Sequence, residues 1–138
     1  EHVEDTGMKV LVENTAGGKN SVARYMDSIE RLWEVIGHLN VGLCLDTCHT
    51  WAGGIPTIDA VKGFKKLVKK IDLIHFNDSK DGFESSRDRH ENLGKGKIPK
   101  EELEYVIKNA KTDIIVETPN GPDAQKKDIA WIRRRLKK

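Results

Sequence analysis

Four short apolar runs mark the chain, at residues 8–12, 41–45, 72–76 and 113–116. Within each run apolar residues are nearly continuous and do not alternate regularly with polar ones. A continuous run is typical of a strand buried on both faces, as in a parallel sheet, whereas alternation marks a strand with one solvated face. The pattern therefore predicts four buried strands.

Between and after these runs, apolar residues recur at intervals of three and four, which predicts amphipathic helices. The helical patterns cover residues 22–39, 57–71, 99–107 and 129–136. The third begins at Pro99, and proline is favoured in the first turn of a helix. Because strand and helix alternate four times, we predict parallel βα units and an α/β fold.

Each predicted strand is followed at its carboxyl end by a side chain that can bind a metal: Glu13, Asp46, His75 and Glu117. In a (β/α)8 TIM barrel the carboxyl ends of the strands surround the active site. These residues lie about 35 positions apart on average, whereas a complete barrel has eight units in about 250 residues. The sequence therefore predicts about half of a barrel.

A single acidic residue after a strand is usually a turn residue or a helix cap, and a lone histidine such as His75 is more often a core residue. Four such residues at the same topological position are harder to explain in this way. Burying several carboxylates together is unfavourable unless cations neutralise them. We therefore predict a metal site at the strand ends.

Three further candidate ligands lie in the loops that follow the second and third strands. His49 comes three residues after Asp46, and Asp88 and His90 belong to a polar segment after His75. In an extended Asp-x-His segment both side chains point to the same side. Imidazole and carboxylate ligands suit zinc, with manganese or iron as alternatives.

Composition narrows the class of protein without deciding its function. The chain has 24 basic and 22 acidic residues and no apolar run long enough to span a membrane, so we expect a globular protein outside the membrane. Basic residues concentrate after Gln125, which suits either nucleic-acid contact or a solvated final helix. Two cysteines give no disulfide framework and predict a reducing, cytoplasmic location. We interpret neither Cys44 nor Cys48 as a ligand, and Cys44 as a small apolar residue of a buried strand.

Four segments, in order along the chain, resemble the signatures of one family. Residues 10–17 (VLVENTAG) resemble its L-E-N-T-A-G motif, with valine in place of the leucine, and residues 42–49 (GLCLDTCH) resemble G-x-C-x-D-T-x-H. Residues 75–94 resemble the third signature, and residues 115–119 resemble the end of the last strand. This is the endonuclease IV family of apurinic/apyrimidinic endonucleases.

The resemblance implies a TIM barrel that binds three zinc ions. It also implies a hydrolase of DNA base-excision repair, which cuts DNA on the 5′ side of an abasic site and leaves a 3′-hydroxyl and a 5′-deoxyribose phosphate. Glu13 would bridge two of the zinc ions. Asp46, His75 and Glu117 would complete one of that pair, and these four residues would be catalytic through the bound metal and its hydroxide. The third zinc would belong to His49, Asp88 and His90.

The implied partner is double-stranded DNA that contains abasic sites. Lys80, Arg87 and Arg89 flank the predicted site and are candidates for contacts with its phosphates, although exposed loop charges are the alternative interpretation. Gly94 and Gly96 would allow the backbone to approach a phosphate, which is a weak signal on its own.

The family barrel has a first half that matches no part of this chain. That half supplies two histidines which, with Glu13, hold the second zinc of the pair. We therefore predict that residues 1–138 form the C-terminal half of a single barrel domain, with the last four βα units. Activity would then require an N-terminal half in the same polypeptide, and self-association of half barrels is the alternative.

Two other functions remain open on the sequence. A metal-dependent sugar isomerase or epimerase of the xylose-isomerase type also has Glu, Asp, His and Glu at successive strand ends, around one manganese-type ion. Such an enzyme does not require His49, Asp88 and His90, which favours the endonuclease. A non-catalytic fragment that keeps the fold is the second alternative.

Overall fold

The structure, a computed structural model, describes residues 7–137. Its elements follow one another in the order β1 (Val10–Glu13), α1 (Met26–Ile36), β2 (Val41–Asp46), α2 (Thr47–Gly53), α3 (Thr57–Val68), β3 (Leu73–His75), β4 (Asp78–Ser79), β5 (His90–Glu91), α4 (Lys100–Ala110), β6 (Asp113–Ile115) and α5 (Gly121–Leu136). The four predicted strands are β1, β2, β3 and β6, and the four predicted helices are α1, α3, α4 and α5. The alternation of strand and helix is therefore confirmed.

The main sheet is parallel, with the strand order β1-β2-β3-β6. The register pairs Glu13 with Cys44, Asp46 with His75, and His75 with Ile115. The helices contact one another in the order α1, α3, α4 and α5, which is also their order along the chain. Strands and helices thus progress in the same direction, as they do around a barrel.

The core lies between the strands and the helices. Leu45 and Ile74 project from the central strands, and Phe64 of α3 and Val106 of α4 meet them, all fully buried. One polar contact joins two of the helices: the Glu102 carboxylate at the start of α4 accepts hydrogen bonds from the backbone N–H and the hydroxyl of Thr57, each at 2.6 Å. It thereby satisfies donors at the start of α3 that the helix itself leaves without partners.

The structure differs from the predicted pattern at the first helix. The expected helix begins at Val22, whereas α1 begins at Met26 and Val22 is 58% exposed. The preceding segment is held by the loop after β1, because the Thr15 N–H donates to the Ala23 carbonyl at 2.9 Å and the hydroxyls of Thr15 and Ser21 are hydrogen-bonded. These bonds hold the segment outside the helix.

Two elements have no counterpart in the prediction. Helix α2 follows β2 directly and is capped by Asp46, whose carboxylate accepts from the His49 N–H at 2.8 Å. The second is the antiparallel ribbon of β4 and β5, in which each strand has two residues. Both elements are too short to show a hydrophobic period.

Both edges of the main sheet are apolar and open within residues 7–137. At the β1 edge Val10 is exposed, and at the β6 edge Ile115 is 47% exposed. A groove of about 580 Å³ runs between β6 and α5, and Ile129 and Leu136 line it. None of the helices in this range is both long and apolar enough to cross a membrane.

Candidate metal centre

The carboxyl ends of the parallel strands bring together the four strand-end residues predicted from the sequence. Glu13 ends β1, Asp46 ends β2, His75 ends β3, and Glu117 lies two residues after β6. The Nδ1 atom of His75 lies 3.3 Å from Glu13 Oε1 and 3.1 Å from Glu117 Oε2. Asp46, His75 and Glu117 each offer one ligand atom, and these atoms lie within 4.8 Å of one another. We call Asp46, His75 and Glu117 the strand-end group.

The three predicted loop ligands form a second set, the loop group. His49 lies in α2, Asp88 lies in the segment between β4 and β5, and His90 begins β5. Asp88 stands between the two rings, with Oδ2 3.1 Å from His49 Nε2 and Oδ1 3.2 Å from His90 Nε2. Three ligand atoms of this group also lie within 4.8 Å of one another.

Glu13 and Asp46 connect the two groups. Glu13 Oε1 is 3.2 Å from His49 Nδ1, and Asp46 Oδ2 is 3.7 Å from His90 Nε2. Glu13, Asp46 and His49 themselves offer ligand atoms within 4.8 Å of one another. All seven residues predicted as ligands therefore belong to one continuous cluster.

The chemistry of this cluster fits a metal. Among residues 7–137, three buried imidazole nitrogens have no hydrogen-bond partner, namely His49 Nε2, His75 Nδ1 and His90 Nε2. Buried polar atoms without partners are rare in folded proteins, and here each of them faces carboxylate oxygens. The other nitrogen of His49 is oriented by the Asn14 carbonyl at 2.8 Å, as is usual for a metal-binding histidine.

Charge is concentrated in the cluster, and it shifts the pKa values of its members. Burial lowers the pKa of His49, but the hydrogen bond with Glu13, the charge of Asp46, the Asn14 carbonyl and the charge of Asp88 outweigh this effect and raise it to about 10. The hydrogen bond with His49 in turn lowers the pKa of Glu13. For Asp46, which is fully buried, the loss of hydration dominates and raises the pKa. A bound cation would neutralise the negative charge of these neighbouring acidic groups.

The sequence matches the xylose isomerase-like TIM-barrel family over residues 1–135. The chain belongs to this family. The predicted (β/α)8 architecture is therefore confirmed, and the strand-end group lies where enzymes of such barrels carry their active sites.

Relatives within the family agree with the resemblance predicted from the four motifs. The chain is 48% identical to "Probable endonuclease 4" of Mycobacterium tuberculosis (strain CDC 1551 / Oshkosh) over 131 residues, which are 95% of this chain and 51% of that protein. It is 48% identical to the protein of the same name from Mycobacterium leprae over 130 residues, 94% of this chain and 51% of that protein. The chain thus spans about half the length of these curated relatives. The resemblance to the endonuclease IV family is confirmed.

Solved structures show the same relationship. The crystal structure of endonuclease IV from Thermus thermophilus matches with a TM-score of 0.76 and 31% identity, over 92% of this chain and 49% of that chain. A D-tagatose 3-epimerase-like protein matches with a TM-score of 0.71 and 21% identity, over 95% of this chain and 48% of that chain. The second similarity concerns the barrel fold alone.

Two asparagines that were not predicted as site residues hold the strand-end group of this TIM barrel in place. Asn77 is fully buried, donates to Asp46 Oδ2 at 2.8 Å and accepts from the Glu117 N–H at 2.8 Å. Asn14 binds the backbone of Asp46. Asn14 directly follows the predicted ligand Glu13, Asn77 lies two residues after His75, and these positions within the motifs were the available signal.

The two cysteines lie closer to the cluster than the sequence interpretation suggests. Both are buried and free, as expected. However, the sulfur of Cys44 lies within 4.8 Å of ligand atoms of Glu13 and His75, and Cys48 has the same relationship to Asp46 and His90. Burial raises the pKa of each thiol to about 12, which disfavours the thiolate that binds metals.

The three residues predicted to contact phosphates lie in the segment that joins β4 to β5. Lys80, Arg87 and Arg89 are all exposed. Asp81 holds Arg89 through two hydrogen bonds, at 2.7 Å and 2.5 Å, and its Oδ1 lies 3.7 Å from Arg87 Nη1. The hydrogen bond from Arg89 lowers the pKa of Asp81. Two of the three cations are therefore already paired within the loop.

The glycines after the ribbon do not form the phosphate cradle considered from the sequence. The N–H groups of Gly94 and Gly96 donate to Asp78 Oδ2 at 2.9 Å and 3.0 Å, and the Ile98 N–H donates to Oδ1 at 3.1 Å. A side chain at position 96 would collide with Asp78 and Ser79. These glycines permit close packing around a buried carboxylate, and their amides are not directed at a ligand.

Proposed function

We propose that this chain carries most of the metal site of a zinc-dependent apurinic/apyrimidinic endonuclease. The reaction would be hydrolysis of the phosphodiester on the 5′ side of an abasic site in double-stranded DNA, as a step of base-excision repair. The observation that carries this proposal is the loop group of His49, Asp88 and His90 beside the strand-end group. A second set of ligands so close to the first suits the hydrolysis of a phosphodiester, where several metals share the charge of the phosphate.

Zinc is the proposed ion because the ligands combine imidazole nitrogen with carboxylate oxygen; manganese is the alternative. When bound, zinc supplies a Lewis acid for the phosphodiester and lowers the pKa of a water molecule. The strand-end group and Glu13 would hold one ion and the loop group a second. Glu13 would also contribute to a third site whose remaining ligands come from outside this chain.

The remaining residues would position the DNA and the ligands. Asn77 orients the carboxylate of Asp46 and the backbone of Glu117, so two ligands share one support. Lys80, Arg87 and Arg89 would contact backbone phosphates from the segment that joins β4 to β5, where all three are exposed. We also propose a reducing, cytoplasmic location, which is supported by the two free, buried cysteines.

We further propose that the chain works as the C-terminal half of a closed barrel. The exposed Ile115, the groove it shares with Ile129 and Leu136, and the open β1 edge support this, because a barrel leaves no strand edge unpaired. A half barrel from the same parent polypeptide would cover both edges. Two copies of this chain would close the barrel in the alternative arrangement.

The first test is the metal content of the purified chain, measured by mass spectrometry for the wild type, His49→Ala and Glu117→Ala. We expect two zinc ions in the wild type and the loss of one ion in each variant. A single ion that survives His49→Ala would contradict the loop group and favour the single-metal isomerase or epimerase. That alternative is then checked directly by epimerisation of a ketose.

The second test is cleavage of a short DNA duplex with one abasic-site analogue. The chain is co-expressed with the first half of the Mycobacterium tuberculosis relative, so that both halves of a barrel are present. We expect incision on the 5′ side of the lesion, no incision of undamaged duplex, and loss of incision with His49→Ala. An assembled, zinc-loaded complex that leaves the lesion intact would identify the chain as a non-catalytic relative.

A further inference from the structure

Asp128 is a buried carboxylate on α5, a helix that carries none of the seven candidate ligands. Its side chain is 4% exposed, although α5 is otherwise rich in exposed charged residues. A carboxylate is expensive to bury, and the salt bridges found in residues 7–137 do not include Asp128. Its place in the core therefore requires a specific reason.

On one side, Asp128 binds the segment that carries a ligand of the loop group. The Asn92 side-chain amide donates to Asp128 Oδ2 at 2.7 Å, and the Leu93 N–H donates to Oδ1 at 3.0 Å. These donors lie two and three residues after His90, at the end of β5. Asp128 thus fixes the backbone that follows His90.

On the other side, Asp128 binds the segment that carries a ligand of the strand-end group. The hydroxyl of Thr118 donates to Asp128 Oδ2 at 2.6 Å, and Thr118 directly follows Glu117. The two segments also meet directly, since Asn92 donates to the Pro119 carbonyl at 3.1 Å and His90 Nδ1 lies 3.3 Å from the Glu117 carbonyl oxygen. One carboxylate therefore joins the supports of both groups.

We propose that Asp128 is a positioning residue that fixes the separation of His90 and Glu117 and so holds the two groups in register before metal binds. This inference rests on the proposed metal site. Asn92, Leu93 and Thr118 all donate to Asp128, so this position has to present acceptors on both of its oxygens. Asparagine has a similar size and is polar, but its NH2 group would face one of these donors. It therefore cannot make all the hydrogen bonds that the carboxylate makes.

The test compares zinc affinity in the wild type, Asp128→Asn and Asp128→Glu, by competition with a chelator. Outer partners of metal ligands typically change metal affinity by about 10–100-fold, and we expect a loss of that order at both groups in Asp128→Asn. Asp128→Glu keeps the acceptors, so it should recover part of the loss. The matched control is Glu102→Ala, which removes a carboxylate that binds Thr57 instead and should leave zinc affinity unchanged.

Thr118→Val is the milder variant, because it removes one of the three donors to Asp128 and keeps the carboxylate. It removes only the hydroxyl donor beside Glu117, and we expect several-fold weaker zinc binding at the strand-end group with unchanged binding at the loop group. Equal losses of zinc affinity at both groups in Thr118→Val, or no loss at either group in Asp128→Asn, would contradict the proposal.

Amide hydrogen exchange separates this inference from the proposed function. If neither the chain nor its complex with the co-expressed first half binds zinc, the proposed function is wrong, yet the exchange of the amides in the chain still tests the role of Asp128. The Leu93 amide should exchange faster in Asp128→Asn. The exchange rate of the Ala60 amide of α3, which donates to the Pro56 carbonyl, should not change. Unchanged exchange at Leu93 would overturn the positioning role, with or without metal.

Discussion

The side-chain amide of Asn14 pairs with both backbone polar groups of Asp46. Asn14 Oδ1 accepts from the Asp46 N–H at 2.8 Å, and Asn14 Nδ2 donates to the Asp46 carbonyl at 3.1 Å. The backbone register of β1 and β2 ends before these residues, at Glu13 and Cys44. Asn14 thus imitates a peptide group and extends the parallel ladder to the residue that carries the buried carboxylate.

Asn14→Ala should therefore destabilise the protein and loosen Asp46. The substitution removes the acceptor of the buried Asp46 N–H and one donor to the Asp46 carbonyl, and a buried polar group left without a partner costs about 1–3 kcal/mol. Urea unfolding measures the change in the free energy of unfolding. Asn20→Ala, at an exposed position in the same loop, is the matched control and should have little effect. An Asn14 variant as stable as this control would mean that water replaces the amide.

A similar argument applies to Glu102, which joins the starts of α3 and α4. Glu102→Ala leaves the buried hydroxyl and the N–H of Thr57 without their acceptor, and we expect a loss of about 1–3 kcal/mol in the free energy of unfolding. Glu101→Ala removes an exposed acid from the same helical turn and serves as the control. Equal urea midpoints for the two variants would show that the contact contributes nothing.

How far the sequence predicts this molecule depends on the range of each interaction. The runs around Leu45 and Ile74 and the ligands Asp46 and His75 follow from local pattern, because hydrophobic period and strand-end position are properties of neighbouring residues. Helix α2 and the ribbon of β4 and β5 are too short to leave such a pattern.

The supports of the site are a different case. Asn14 lies 32 residues from Asp46, Asn77 lies 40 residues from Glu117, and Asp128 lies 36 residues from Asn92. Each is a single polar residue that meets its partner only when distant parts of the chain come together in the fold. A composition or periodicity argument gives no reason to select it, whereas the ligands it supports are marked by their place after a strand.

Stability should depend on pH through Asp72. Burial raises the pKa of its carboxyl, but hydrogen bonds from Lys9 at 2.7 Å and from the Leu43 N–H at 3.0 Å outweigh that effect and lower it from 3.8. A lowered pKa in the folded state gives stability above the unfolded pKa, and this stability disappears as the pH falls through the folded pKa.

Asp72→Asn should therefore cost more at pH 7 than at acidic pH, where the wild-type carboxyl is itself protonated. Because the pair with Lys9 is partly exposed, we expect a difference of less than about 1 kcal/mol. Urea unfolding at both pH values measures it, and Lys9→Met should reduce the difference. If the loss of unfolding free energy in Asp72→Asn does not depend on pH, Asp72 stabilises the protein by packing against Gly42 and not through its charge.

Asp81→Asn should strengthen binding to DNA if the segment between β4 and β5 contacts phosphates. Asp81 binds Arg89 through two hydrogen bonds and lies beside Arg87, so its removal frees cationic groups for the DNA backbone. Each additional phosphate contact steepens the dependence of log affinity on log salt by about 0.9. Fluorescence anisotropy over a salt series measures both quantities. Asp123→Asn removes an equal charge from an exposed position on α5 and is the control. An identical gain in DNA affinity in this variant would mean that only the net charge of the protein matters.

Zinc should stabilise the folded chain and a chelator should reverse the effect. In the metal-free cluster His75 Nδ1 is buried without a hydrogen-bond partner between Glu13 and Glu117, and a cation would relieve both that deficit and the repulsion among the acids. A ligand that binds only the folded state at a hundredfold excess over its Kd adds about 2.7 kcal/mol to the free energy of unfolding. Thermal unfolding with and without zinc measures this gain. Magnesium, which prefers oxygen ligands, should give much less, and so should zinc with His75→Ala. Equal stabilisation by the two ions would mean that the imidazoles take no part in binding and that the cluster attracts cations through its carboxylates alone.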